Sequence, residues 1–203
     1  MERQGHPVLP VETLLRSVHD TTTPPMLLCS LLAGLPLRWV WAVRLVDESP
    51  ALVPFSWFYA INEFNGPSAG NTCEEAILQG ISEVVERHVC ALVTRDHIPT
   101  PVIDQESIID PVARDLLAKF RKNGIQVHLN DFSLDTGIPT VAARAWDPAT
   151  SPATSGIVYT AGTTPGANKA VSRALTEVAQ LAGDFNTGAN YVASGLPKPR
   201  SLA

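Results

Sequence analysis

The 203-residue chain has no basic run, no long apolar run and little cysteine. Its 15 Lys and Arg against 20 Asp and Glu give a net charge of −5. Neutralising nucleic-acid phosphates needs clustered Lys and Arg, so nucleic acid is not an expected partner. No uncharged apolar stretch reaches the roughly 18 residues of a membrane span, and no membrane association is expected. Met26 to Leu37 is apolar, but it is short and is followed by Arg38. The first residues lack the charged start and apolar block of a signal peptide. Cys29, Cys73 and Cys90 are odd in number and widely spaced, which fits reduced thiols in a cytoplasm better than a disulfide framework. There is no C-x-x-C, H-E-x-x-H or G-x-S-x-G spacing, no Walker loop and no dinucleotide fingerprint. His88, Cys90 and His97 therefore read as buried or incidental rather than as metal ligands.

What is present is enough apolar residue, 45% against 17% charged, for a substantial core. One domain is the expectation at this length. Val11 to Val18 has helical spacing and stops at Thr21-Thr22-Thr23-Pro24-Pro25. Arg38 to Val46 and Leu52 to Tyr59, rich in Val, Trp, Phe and Tyr, read as strands. A loop from Asn62 to Gly70 leads into a long helix over Thr72 to Thr94, with Thr72 as N-cap and Glu75 completing a capping box. Pro111 to Lys122 reads as a second helix, stopped by Asn123-Gly124. Ile125 to Phe132 and Ile138 to Trp146 read as a strand pair around Asp135-Thr136-Gly137. Asp131, Asp135 and Asp147 lie near strand ends, where turn roles explain them. After a loop over Asp147 to Ser155 come a strand, Gly156 to Ala161, a turn over Gly162 to Gly166, and a last helix over Asn168 to Leu181. The tail, Asp184 to Ala203, is rich in Gly, Pro and small polar residues and is expected to be poorly ordered. The alternation predicts an α/β or α+β domain, with mixed or antiparallel sheets packed against helices.

Two helices carry pointed chemistry. On the long one, Ile77, Ile81, Val84, Val85 and Leu92 share a stripe expected to face the core, with His88 inside it. Gln79, Ser82, Glu83 and Glu86 fall on the opposite side. Glu83 and Glu86 are one turn apart and could hold Mg²⁺, which takes carboxylate and phosphate oxygens. A solvated helix surface has the same pattern. Arg87 could pair with Glu83 at i, i+4, or offer its planar fork to phosphate. On the last helix, Val171, Ala174, Leu175 and Val178 form the apolar face, opposite Lys169, Arg173, Glu177 and Gln180. Thr163 to Asn168 could present free N–H groups to an anion.

The run Asn65-Gly66-Pro67-Ser68-Ala69-Gly70-Asn71-Thr72-Cys73-Glu74-Glu75-Ala76, continued by Glu83-Val84-Val85-Glu86-Arg87-His88, resembles a signature of the YcaO family. There, Asn-Gly-x-Ala-Ala-Gly-x-Thr-x-Glu-Glu-Ala precedes a Glu-x-x-Glu-Arg helix. Arg173-Ala174-Leu175-Thr176-Glu177-Val178-Ala179-Gln180 resembles that family's Arg-Ala-Leu-x-Glu-x-x-Gln segment, in the expected order. Gly124 to Val127 and Gly137 to Thr140 also fit.

The resemblance implies a YcaO-like fold and ATP- and Mg²⁺-dependent activation of a peptide backbone amide. A Cys, Ser or Thr side chain, sulfide or an amine adds to the amide carbon. The oxyanion attacks the γ-phosphate, and phosphate leaves with the former amide oxygen, giving azolines, thioamides or amidines. It further implies Glu83, Glu86 and Glu177 as metal ligands, and Arg87, Arg173, Gln180 and Asn65 as nucleotide or phosphate contacts. Expected partners are a peptide or protein substrate, a leader-peptide-binding or other partner protein, and a second copy in a homodimer. Family members are longer and carry an earlier Gly-Lys-Gly and Glu-x-x-Glu-Arg segment that nothing before Asn65 matches. On that basis residues 1–183 are expected to be a partial YcaO domain, followed by the tail 184–203. The alternative is a truncated, non-catalytic relative serving as scaffold, peptide binder or accessory factor in ribosomal-protein methylthiolation.

Overall fold

The computed structural model describes residues 5–62, 65–149 and 157–181. Most of the expected loop over Asp147 to Ser155, and the whole expected tail, Asp184 to Ala203, lie outside the described residues. The chain forms two compact units, Met1–Phe64 and Asn65–Ala203. Among the described residues, no helix is long and apolar enough to cross a membrane.

The first unit holds α1 (Val11–Ser17), α2 (Pro25–Leu32), β1 (Trp39–Val43), β2 (Pro50–Pro54) and α3 (Phe55–Asn62). β1 and β2 form an antiparallel pair, and Leu14, Leu15 and Leu28 pack with Trp57 and Phe58. The apolar run after Pro24 is a helix, started by Pro25 in its first turn. One sequence expectation needs correction here. The strand expected over Leu52 to Tyr59 stops at Pro54, and Phe55–Asn62 is helical. Aromatic composition favours a strand there, but helical spacing lets Trp57 and Phe58 reach the leucine cluster, and packing overrides propensity.

The second unit is a three-layer sandwich built on an antiparallel sheet of order β3-β4-β5. Its elements are α4 (Cys73–Asp96), α5 (Pro111–Lys122), β3 (Gln126–Asp131), β4 (Thr140–Trp146), β5 (Val158–Thr163) and α6 (Ala167–Gln180). One sheet face, from Val127, Leu129, Val141, Ala143, Ala145 and Val158, is buried with Leu117 and Phe120 of α5 and with Val171, Leu175 and Val178 of α6. Those α6 residues include three of the four expected on its apolar face, and Ala174 is buried with them. The other sheet face carries α4, through Val89 against Phe132 and Ala142. Among the described residues, six α-helices and two small antiparallel sheets make a mixed fold of the class the sequence pattern predicts. The turn roles given to Asp131 and Asp147 also hold, since Asp131 Oδ1 accepts from Ser133 and Asp147 Oδ1 from Ala149.

Two details fix where the helices sit. Asp110 Oδ1 caps α5 by accepting the Ala113 N–H at 2.8 Å, and also accepts the Ser172 hydroxyl of α6 at 2.8 Å. Gly162 lies inside β5 rather than in the turn expected after Ala161. A Cβ there would stand 2.6 Å from the Ala174 amide nitrogen and 2.8 Å from Arg173 Cβ. The strand runs two residues further because only glycine lets α6 lie this close to it.

Candidate functional site

The small-residue loop before α4 folds back along the helix instead of pointing away. Ser68 Oγ donates to the Ala76 carbonyl at 2.6 Å, and the Gly66 N–H donates to Glu83 Oε2 at 3.3 Å. A Cβ at Gly80 would lie 2.7 Å from the Gly66 carbonyl oxygen, so both glycines are needed for the approach. Thr72 Oγ1 accepts the Glu75 N–H at 3.2 Å, and Glu75 Oε2 accepts from the Asn71 N–H at 2.7 Å and Asn71 Nδ2 at 3.0 Å. This is the expected capping box, with Glu75 reaching one residue beyond the cap. His97 ends α4 in the left-handed region at φ 51°, which accounts for that histidine without a metal.

The face of α4 against the sheet matches the expected stripe only in part, at Val85. Ser82 and Val89 are its buried residues, whereas Ile77, Ile81 and Val84 remain 40–48% exposed. The helix is apolar on two sides, and hydropathy alone selects the longer stripe. The sheet instead receives the side that carries Val85, Val89 and Val93. The acidic edge is thereby drawn inward, with Glu86 and Glu83 half-buried.

A cleft of about 340 Å³ opens between α4 and α6, with Ala161 of β5 at its base. α4 lines it with Gln79, Glu83, Glu86 and Arg87, and α6 with Arg173, Thr176, Glu177 and Gln180. The structure thus brings together six of the seven residues singled out in the sequence. Asn65 does not line the cleft. The turn over Thr163 to Asn168 does not line it either, because the cleft runs along the later turns of α6 rather than its N-terminus.

Arg173 Nη1 donates to Gln79 Oε1 at 2.7 Å and tethers α6 to α4. Gln79 is the residue the motif reading passed over. Its position one turn before Glu83, on the same side of the helix, was the available signal. Arg87 Nη2 stands 3.7 Å from Glu83 Oε1, and the arginine is 56% exposed, so its fork stays accessible. Burial raises the proton affinity of Glu86, and the Glu177 charge adds to this; Arg87, Arg173 and the Thr163 hydroxyl oppose it. Burial likewise raises Glu177, against the pull of Arg87 and Arg173, and Glu83 pushes it further up. The cleft therefore holds partly desolvated carboxylates short of positive charge.

Among the described residues, no three His, Cys, Asp or Glu side chains converge into a metal cage. The donors at hand are carboxylate oxygens on two facing helices, beside two guanidinium groups. That set suits Mg²⁺, which keeps several waters and borrows phosphate oxygens rather than demanding a closed protein cage. It does not suit zinc, which prefers nitrogen and sulfur ligands.

The family model "YcaO cyclodehydratase, ATP- and Mg²⁺-binding" matches residues 1–202. An uncharacterised protein of Methanothermobacter thermautotrophicus is 41% identical over 71% of this chain, which spans 40% of that relative. The ribosomal protein S12 methylthiotransferase accessory factor YcaO of Escherichia coli is 28% identical over 73% of the chain and 24% of its own length. Among solved structures, a heterocyclase in complex with substrate and cofactor matches with TM-score 0.63 and 29% identity, over 71% of this chain and 21% of that one. YcaO from Methanopyrus kandleri, bound with AMPPCP and Mg²⁺, matches with TM-score 0.55 and 27% identity, over 72% and 41%. The chain therefore spans well under half the length of these relatives. With its two acidic helices facing across one cleft, the chain belongs to the YcaO family.

Proposed function

We propose that this chain takes part in YcaO-type activation of a peptide backbone amide, its α4–α6 cleft holding the phosphates of ATP with Mg²⁺. The observation that carries this reading is the convergence of Glu83, Glu86, Glu177, Arg87 and Arg173 on one cleft. Glu83, Glu86 and Glu177 supply the metal-holding carboxylates. Mg²⁺ bound there would offset charge on the triphosphate during phosphoryl transfer. Arg87 and Arg173 are placed for phosphate oxygens, and the Gln79 bond sets the attitude of Arg173. Gln180 contributes amide groups at the end of the cleft. The acceptor is a peptide or protein, with products of the azoline, thioamide or amidine class. Soluble partner proteins and a cytoplasmic setting belong to the same reading.

Isothermal titration of the intact chain with ATP and Mg²⁺ tests it. Saturable binding should appear and should be abolished by Glu83→Gln and by Glu86→Gln. A wild-type chain that binds no Mg-ATP would refute the reading and favour a non-catalytic scaffold or accessory role.

A further inference from the structure

The sheet face under α4 is only partly covered. Strand register places His128, Arg144 and Tyr159 side by side across β3, β4 and β5, with Gln126 and Trp146 as the adjoining row. α4 covers the neighbouring row at Ala142. His128 and Tyr159 are exposed, and Arg144 and Trp146 are half-buried. The His128 and Trp146 rings meet edge to face at 5.0 Å. Among the described residues, the Arg144 guanidinium has neither a hydrogen bond nor an ion pair. A half-buried guanidinium set in register with aromatic residues, with no acidic partner among the described residues, suits an anion. Aromatic and Arg side chains together are also what binding surfaces concentrate at their centres.

The row is continuous with the cleft. The Tyr159 ring lies 6.2 Å from that of Phe132, which packs against α4 at Val89, about one helical turn beyond Glu86. Tyr159 is also two residues along β5 from Ala161, which lies at the base of the cleft. Two residues of strand span about 7 Å.

From this placement we infer that the His128–Arg144–Tyr159 row, with Trp146, is a docking surface for the acceptor peptide, and that Arg144 selects an acidic side chain about two residues from the amide to be modified. The inference rests on the amide-activating reading above. A carboxylate fits the guanidinium fork bidentately, and an extended peptide has the same two-residue repeat as the sheet beneath it. The ring edges of Trp146 and Tyr159 then cover the peptide's apolar flank.

Fluorescence anisotropy with the full chain tests the inference. The probes are a fluorescein-labelled Gly-Glu-Phe-Gly-Cys-Gly peptide and its Gln counterpart. The Glu peptide should bind about tenfold more tightly, as expected for a charge-assisted bidentate pair. Arg144→Gln should remove that preference, and Arg144→Lys should restore only part of it. Both variants should keep wild-type far-UV dichroism and wild-type Mg-ATP titration. Equal affinity for the two peptides, or a preference that survives Arg144→Gln, would overturn the inference. Loss of Mg-ATP binding in Arg144→Gln would assign the row to the nucleotide and overturn it equally. A chain that discriminates the peptides but binds no ATP would leave this surface standing and sink the amide-activation reading alone.

Discussion

Replacing Gly162 with alanine tests whether the α6–β5 contact sets the width of the cleft. The added Cβ would meet the Ala174 nitrogen at 2.6 Å, where ordinary contact begins at 3.4 Å. The Ala170 carbonyl oxygen would be nearer still, so at least about 0.8 Å is missing. Neither side can yield easily. Thr160 Oγ1 donates to the Ala174 carbonyl at 2.9 Å from the same strand, and Val171, Leu175 and Val178 are locked in the core. Overpacking of this kind typically costs about 1–3 kcal/mol. For a chain of this size, about 2 kcal/mol corresponds to roughly 4–8 °C in melting temperature. Urea titration followed by emission of Trp146, the one tryptophan of the second unit, should show a lower midpoint with an unchanged slope. Because α6 carries Arg173, Glu177 and Gln180, the same variant should weaken Mg-ATP binding even where it is fully folded. A midpoint within error of wild type would refute the close-packing argument.

The raised proton affinities of Glu86 and Glu177 give a signed pH effect. The folded chain binds these protons more tightly than the unfolded chain. Their contribution is therefore most favourable below the ordinary glutamate range and is lost as pH rises through the raised folded-state values. Glu86→Gln and Glu177→Gln should each raise the neutral-pH melting temperature and flatten its fall between acid and neutral pH. Melts across that range that run parallel to wild type would contradict the burial argument. Thr72→Ala removes the cap of α4 and should destabilise by about 1 kcal/mol. Hydrogen exchange should localise the loss to the first turn of α4, around Glu74 and Glu75.

The helices of the second unit were legible where capping and periodicity agreed. Thr72 caps α4 and Pro111 opens α5 as the sequence suggests, and both α4 and α6 end within two residues of the expected places. Side-chain rotation was legible only for α6, which has a single apolar face. On α4, hydropathy pointed to Ile77, Ile81, Val84 and Val85, but only Val85 of these joins Val89 against Phe132 and Ala142. Which of two apolar sides wins depends on steric fit with Phe132 and Ala142, residues over forty positions away in sequence. Phe55–Asn62 misled for a related reason, since aromatic residues favour strands locally and a leucine cluster claimed them as a helix. The pairing of Arg173 with Gln79 spans 94 positions, a separation no local pattern encodes.

The rotation of α4 also inverts the tolerance to substitution that its composition suggests. Ser82 is 2% exposed, one residue before Glu83. A bulkier residue there would lever Glu83 and Glu86 away from α6. Ile77 and Ile81, which resemble core positions on paper, face outward and can become polar with little consequence for the cleft. Along this helix, a buried serine tolerates enlargement less than the exposed isoleucines beside it.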